Sequence, residues 1–469
     1  MQSRKTKIIA TIGPATMDAR MIESLIDAGM DIARINMSHA RPDQVRQIVQ
    51  SLREISVNAQ RCVGILMDLQ GPAIRTGDLL EPLHLAPGDR IAFTVRGEVY
   101  EDLPSIAVNY DQLVNDIRVG DAVLVDNGNL HLTVLEKRPN RITCEVMTQG
   151  TLGSRRHINL PGVRVSLPAL TDKDIQDVDL GIELGVDFIA LSFCREPEDV
   201  LRLKGILDYR RARQKVIAKL EDQQAIRNLE EIIENADGIM VARGDLGIEC
   251  PYEELPIIQR RIVKTCIIRG KPVIVATHML ESMIENPSPT RAEITDVSNA
   301  VFEQADAIML SGETSVGKYP VQCIEMMDRI ARRVERSGGA NYAQMAQMDT
   351  LGARLVKSAN VLTKEVGAEA LIVFTHTGRM ARNAAWLRPL HSPIYVFTDN
   401  ESLLNQLTLY WGIKPYFLQF NEDPAMNARN AVNLLKKENR IGSNSNVVVI
   451  TPLNIGDRLI DTILMETVE

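Results

Sequence analysis

Short apolar runs, rich in β-branched residues and each ending in polar or charged positions, recur along the first two thirds of the chain with helix-like stretches between them. They are KIIATIG, ending at Thr11; DIARINMS, at Asn36 and Ser38; VGILMDLQ, at Asp68; and DFIALSF, at Ser192. Then come VIAKLE, ending at Lys219 and Glu221; GIMVARGD, at Arg243 and Asp245; PVIVATH, at Thr277 and His278; and AIMLSGE, at Ser311 and Glu313. Eight strand–helix units in series predict an α/β fold, a (β/α)8 barrel over residues 1–70 and 168–337. Its active site is expected where the strands end.

One step breaks the spacing. Residues 71–167 are rich in Gly and Pro and carry alternating strands (RIAFTV, DAVLVDNGNLHLTVLEK, RITCEVMT), which predicts a small β domain inserted after the third barrel strand. Planted at that rim, it can close over the site as a lid and exclude water. After Ser337, SGGANYAQMAQMD interrupts the pattern. Residues 338–469 then read as a separate open α/β domain, with a helix near Thr350–Val366 and strands ALIVFT, IYVFT, KPYFLQF and VVVIT.

The stretch from Val216 to Glu249 carries the most chemistry. Two parallel strands joined by a helix deliver their C-terminal ends to one side of a sheet, so Lys219, Glu221 and Asp245 are expected to converge. Lys219 and Glu221, two residues apart, share a face of the strand. Two carboxylates beside a lysine leave three readings open: a structural ion pair, a general acid and base, or a divalent metal site with a cationic neighbour. Gly244 and Gly247 around Asp245 let backbone N–H groups approach an anion closely. A Mg²⁺ held by only two carboxylates fills its octahedron with water and substrate oxygens, the usual arrangement in phosphate chemistry.

Composition narrows the partners. The 469 residues carry 53 basic and 61 acidic side chains, a net charge of −8 with no long basic run, which argues against nucleic acid. Six scattered cysteines without a CxxC pair make disulfide or zinc frameworks poor readings and suit a reducing cytoplasm. The N-terminal MQSRKTKIIATIGP has no signal-peptide core, and no 18 apolar residues run together, so a soluble cytoplasmic protein with no membrane partner is expected.

Several strings now belong together: ARINMSH, MDLQGPAIRTG, IAKLE, MVARGDLGIE, ATHMLESMIENPSPTRAE and IMLSGETSVGKYP. Along the whole chain these closely resemble the pyruvate kinase family, bacterial type, with barrel, inserted β domain and C-terminal α/β domain in that family's order. The resemblance implies phosphoryl transfer from phosphoenolpyruvate to ADP, giving pyruvate and ATP. It implies that Glu221 and Asp245 are ligands of Mg²⁺ or Mn²⁺ and that Lys219 faces the phosphoryl group in flight. Gly244, Asp245 and Thr277 match positions that hold the donor's carboxylate, and Arg34 matches one that grips its phosphate. Thr277 and Ser311 match residues near the enolate, with a water between them as the proton donor. Nucleotide contacts match Asn36, Ser38, His39, Arg75 and Lys173.

The family often holds K⁺ at positions matching Asn36, Ser38, Asp68 and Leu69. K⁺-requiring members resemble one another in having Thr and Lys after the aspartate and Glu three residues on. Here the chain has Leu69, Gln70 and Ala73, so weak or absent K⁺ dependence is expected. In the C-terminal domain VFTHTGRMARNAA resembles an effector loop, with Thr375, Thr377, Gly378 and Arg379 at the turn, and it implies a sugar phosphate or nucleotide effector. Met380 stands where a further hydroxyl is common in responsive members. GETSVGK at Gly312–Lys318 nearly matches a P-loop, but Tyr319 follows where the metal-binding Ser or Thr belongs. Family members are commonly homotetramers. Two other readings remain at this point: a Mg²⁺-dependent lyase or aldolase acting through a pyruvate enolate, which needs no nucleotide site, and a metabolite sensor, which has no reason to keep Lys219.

Overall fold

Strand alternation divides the barrel into an apolar floor and a polar mouth. On the second barrel strand (Ile32–Asn36) Ile32 and Arg34 share a face, as do Leu66 and Asp68 on the third (Gly64–Asp68) and Ile217 and Lys219 on the fifth (Lys215–Leu220). The structure, a computed structural model, describes residues 4–98, 102–455 and 458–468. In it these strands join Lys7–Ile12, Phe188–Leu191, Gly238–Ala242, Val273–Ala276 and Ala307–Leu310 in a closed barrel of eight parallel strands, all eight where the sequence predicts them. Ile9, Ile32, Leu66, Ile217, Met240 and Ile274 fill its lower interior, and Leu409, from the C-terminal domain, joins the same cluster. A second apolar shell packs the helices onto the outside of the strands.

Between Gly71 and Leu167 a six-stranded sheet and a two-stranded sheet (Leu83–Leu85 with Gly150–Leu152) enclose their own core around Phe93, Val123 and Ile142. One helical turn, Leu113–Asp116, interrupts the strands. The two chain segments that tether this unit run side by side: Arg75 bridges His157, and the Ile158 N–H donates to the Ile74 carbonyl at 2.9 Å.

The C-terminal sheet has strands in the order Ile413–Phe417, Ile394–Thr398, Ala370–Phe374, Asn446–Ile455 and Arg458–Thr467. The first four are the predicted strands and run parallel, and separate apolar clusters cover the two faces of the sheet. The fifth is antiparallel and was not foreseen from sequence. An edge strand mixing Asp461, Thr462 and Glu466 among its apolar residues gives a weak period-two signal. No helix among the described residues is long and apolar enough to cross a membrane.

Candidate active site

Lys219 stands at the centre of the mouth. Its ammonium lies 2.9 Å from Glu221 Oε1 and 3.2 Å from Asp68 Oδ1, and it donates to Ser192 Oγ at 2.7 Å. Asp68 Oδ2 accepts from Arg34 Nε at 2.8 Å, and Arg34 Nη1 donates to Thr11 Oγ1 at 2.9 Å. Glu221 Oε2 accepts the backbone N–H of Phe193 at 2.6 Å, an arrangement set by Phe193 taking a left-handed φ of 52°. Side chains from four strands thus meet as the alternation requires.

The charges do not cancel. Asp68, Glu221 and Asp245 face Lys219 and Arg34, three carboxylates against two cations in a largely buried setting. Burial would drive the Lys219 proton off, but Asp68 and Glu221 outweigh it and hold the ammonium well above its ordinary value. Burial likewise opposes the Asp68 charge, and Lys219 with Arg34 overcomes it, keeping that carboxyl below the usual range. Glu221 and Asp245 are left with the deficit. Burial raises both above the ordinary range, with Lys219 opposing and the other carboxylates adding to the rise. Such a pair favours a cation. Among the described residues no group of three or more His, Cys, Asp or Glu is placed to hold a metal alone. Two carboxylates fit a hard divalent ion completed by substrate oxygens and water.

The chain enters the helix Arg243–Glu249 directly after the sixth strand, so Asp245 sits in a helical first turn. Gly244 N–H donates to Thr277 Oγ1 at 2.7 Å, which brings Thr277 to that turn. Thr277 and His278 both have positive φ, 71° and 53°. Two consecutive non-glycine residues in that region are strained, and such strain persists only where the surroundings enforce it. Buried Arg243 does so: Nε donates to the Ala276 carbonyl at 3.2 Å, Nη2 to the Thr277 carbonyl at 2.5 Å, and Nη1 pairs with Asp296 at 2.6 Å. Glu313 ties the next turn, accepting from Leu280 N at 3.0 Å and Ser311 N at 2.7 Å. Ser311 Oγ is buried without a partner among the described residues.

A cavity of about 390 Å³ opens above this floor. Of the residues singled out from sequence, Arg34, Asn36, Ser38, Leu69, Arg75, Lys219, Glu221 and Asp245 line it. His39 and Lys173 lie exposed outside that lining, the Lys173 ammonium 2.9 Å from the Met37 carbonyl and 2.6 Å from Asp177. Gly244, Thr277 and Ser311 also stand outside that lining. From the inserted domain Arg155, Arg156 and His157 join the wall, and the sequence pattern assigns them no role. The adjacent arginines of GSRRH are the signal that could have found the first two. Arg243 and Glu313 stand in the motifs MVARGDLGIE and IMLSGETSVGKYP, but their contacts, like that of the Phe193 N–H, run largely to backbone atoms that spacing does not disclose.

Of the positions matched to K⁺, Asp68 has both oxygens engaged by Arg34 and Lys219, and the Leu69 carbonyl accepts from Ser192 Oγ at 2.7 Å. In the C-terminal domain Thr375 Oγ1 accepts from Gly378 N at 3.0 Å, and Gly378 has φ 80° at the start of the helix Arg379–Trp386. Thr377 is exposed, Arg379 lies 3.6 Å from Asp461, and Met380 is buried.

Comparison with known proteins bears on the same chain. The family model "Pyruvate kinase, barrel domain" matches residues 3–324, and "Pyruvate kinase, alpha/beta domain" matches residues 353–463. Plastidial pyruvate kinase 3 of Arabidopsis thaliana is 41% identical over 95% of this chain and 78% of its own. A pyruvate kinase of Staphylococcus aureus is 37% identical over 96% of this chain and 77% of its own. The crystal structure of a pyruvate kinase from Cryptosporidium parvum superposes with a TM-score of 0.94 at 33% identity, covering 99% of this chain and 96% of the other.

Proposed function

The chain belongs to the pyruvate kinase family, and from that premise we propose how its residues divide the reaction. The enzyme is a phosphotransferase that moves a phosphoryl group from phosphoenolpyruvate to ADP, giving pyruvate and ATP in the last step of glycolysis. The lyase reading gains no support from these relatives and is set aside. The family generally depends on Mg²⁺ and K⁺.

Glu221 and Asp245 hold Mg²⁺ or Mn²⁺ in our reading, supported by the unbalanced carboxylate charge in the mouth. A bound divalent ion supplies positive charge to the donor's oxygens. Lys219 keeps its proton throughout and presents a fixed charge to the equatorial oxygens of the phosphoryl group as it crosses. Arg34, braced by Asp68 and Thr11, grips the donor's phosphate. Gly244, Asp245 and Thr277 form the seat of the donor's carboxylate. The enolate left behind takes its proton from water held near Thr277 and Ser311, a role suited to the unpartnered Ser311 hydroxyl. ADP lies toward the lid against Asn36, Ser38 and Arg75, with His39 and Lys173 meeting it at the rim. The inserted domain closes over both substrates and excludes water.

K⁺ dependence is weak in our reading, since Asp68 is already satisfied by two internal cations. Thr375, Thr377, Gly378 and Arg379 offer a loop for a sugar phosphate or nucleotide effector. Exposed Ile257, Phe302, Leu351 and Val361 lie on helices of the barrel and of the C-terminal domain, and two such apolar faces suit a homotetramer. Six free thiols suit the cytoplasm. The observation that carries the whole reading is the Lys219 ammonium 2.9 Å from Glu221 in a cavity shared with Arg34 and Asp245. Pyruvate formation from phosphoenolpyruvate and ADP in a coupled assay tests it directly.

A further inference from the structure

The lid's return strand meets the barrel at one buried polar contact. Asn159, on the two-residue strand Ile158–Asn159, donates from Nδ2 to Glu249 Oε1 at 3.1 Å. Both side chains are buried, 5% and 7% exposed. Glu249 is the last residue of the helix that carries Asp245, and its backbone carbonyl accepts from the side chain of Gln223, two residues past Glu221. The lid, the exit of the fifth strand and the helix of the sixth therefore join at Glu249.

We infer that Asn159 and Glu249 are a positioning pair, a clasp through which the lid's return strand fixes the two elements that present Glu221 and Asp245. The inference rests on the reading of those two carboxylates as metal ligands. A cavity of about 420 Å³, lined by Gly162, Val163, Arg164 and Glu249, lies beside the Glu249 end of this contact. The clasp also has an unused valence: Asn159 Oδ1 is buried with no partner among the described residues. Burial, relieved by the Asn159 hydrogen bond and by Arg195 and reinforced by Asp222 and Asp245, pushes the Glu249 carboxyl up to about 7. A proton on Glu249 donates to that orphan oxygen and closes a two-bond acid–amide pair, a geometry that a glutamine reproduces. Groups that only orient metal ligands govern affinity strongly, which is why a contact this far from the ion matters.

Binding of Mn²⁺ to the full chain, read from the electron paramagnetic resonance of the free ion, tests the clasp, together with amide hydrogen exchange over residues 155–160 of the metal-free protein. The variants are Glu249→Ala, Asn159→Leu, Glu249→Gln and Asp245→Asn. We expect Glu249→Ala and Asn159→Leu to bind Mn²⁺ about tenfold more weakly and to exchange faster at 155–160, with Glu249→Gln restoring both to within about threefold of wild type. If Glu249→Ala does not fold, Asn159→Leu and Glu249→Gln carry the comparison. Wild-type Mn²⁺ affinity in Glu249→Ala and Asn159→Leu, with Asp245→Asn impaired, overturns the clasp and leaves the ligand reading standing. Unimpaired binding in Asp245→Asn overturns the ligand reading itself.

Discussion

Lys219 Nζ stands 2.9 Å from Glu221 Oε1, both side chains buried at the mouth of the barrel. A buried ion pair is weak evidence of stability, since desolvation offsets most of the attraction. Here the pair sits among Asp68, Asp245 and Arg34 with one negative charge in excess, an arrangement better explained by what it binds than by what it stabilises.

That excess predicts the metal ligands. Glu221→Gln or Asp245→Asn removes the surplus charge and one oxygen donor, so turnover should fall about 100-fold or more and require higher Mg²⁺ for half-activation. Titrating Mg²⁺ in the coupled assay checks this; an unmoved activation curve in either variant contradicts it.

His157 gives a pH prediction. Burial, with Arg75 nearby, pushes its imidazole down to about 4 from an ordinary value near 6.5. The folded protein therefore binds fewer protons than the unfolded chain between these values, and its stability is lost as pH falls through that window. His157→Phe removes the titration while keeping a ring against Phe193, 6.0 Å away. Wild type should lose about 1–2 kcal/mol more than the variant between pH 7 and pH 5. Urea midpoints of the lid's unfolding at the two pH values, followed by hydrogen exchange, measure the difference.

Potassium should matter little. With both Asp68 oxygens engaged by Arg34 and Lys219 and Ala73 offering no carboxylate, turnover in K⁺-free buffer should stay within about threefold of that in KCl, since the Asp68 carboxylate already meets two internal cations. Activity that collapses without K⁺ and returns on adding KCl contradicts this.

Arg243 should be structural and functional at once. Arg243→Met leaves Asp296 and the Thr277 carbonyl without their arginine donor and the Ala276 carbonyl with the Thr277 hydroxyl alone, so stability should drop by about 3 kcal/mol and the strained Thr277 turn should relax, lowering kcat. Arg243→Lys keeps the charge but not the fork and should recover only part of either. Denaturation and steady-state kinetics on both variants check the two effects together.

The barrel was legible because each strand is a compact apolar run that ends in chemistry. The strand–helix–strand pattern led to Lys219, Glu221 and Asp245 at one mouth, Arg34 came with the family resemblance, and the contacts of Asp68 to Lys219 and Arg34 were not legible. The final strand, Arg458–Thr467, was not legible, because an edge strand needs only a partial apolar face. Nor were the roles of Phe193, which works through its backbone N–H, and of Arg243, which ends the sixth run but works through two backbone carbonyls and Asp296. Arg155 and Arg156 were not legible because the fold of the inserted domain, not the spacing, brings them to the cavity wall.

Lys219→Met gives the most direct test of the central claim. The account predicts that turnover of phosphoenolpyruvate and ADP at saturating Mg²⁺ falls about 1,000-fold while phosphoenolpyruvate binding changes only a few-fold, because the ammonium acts mainly on the transferring group. Turnover within a few-fold of wild type would contradict it.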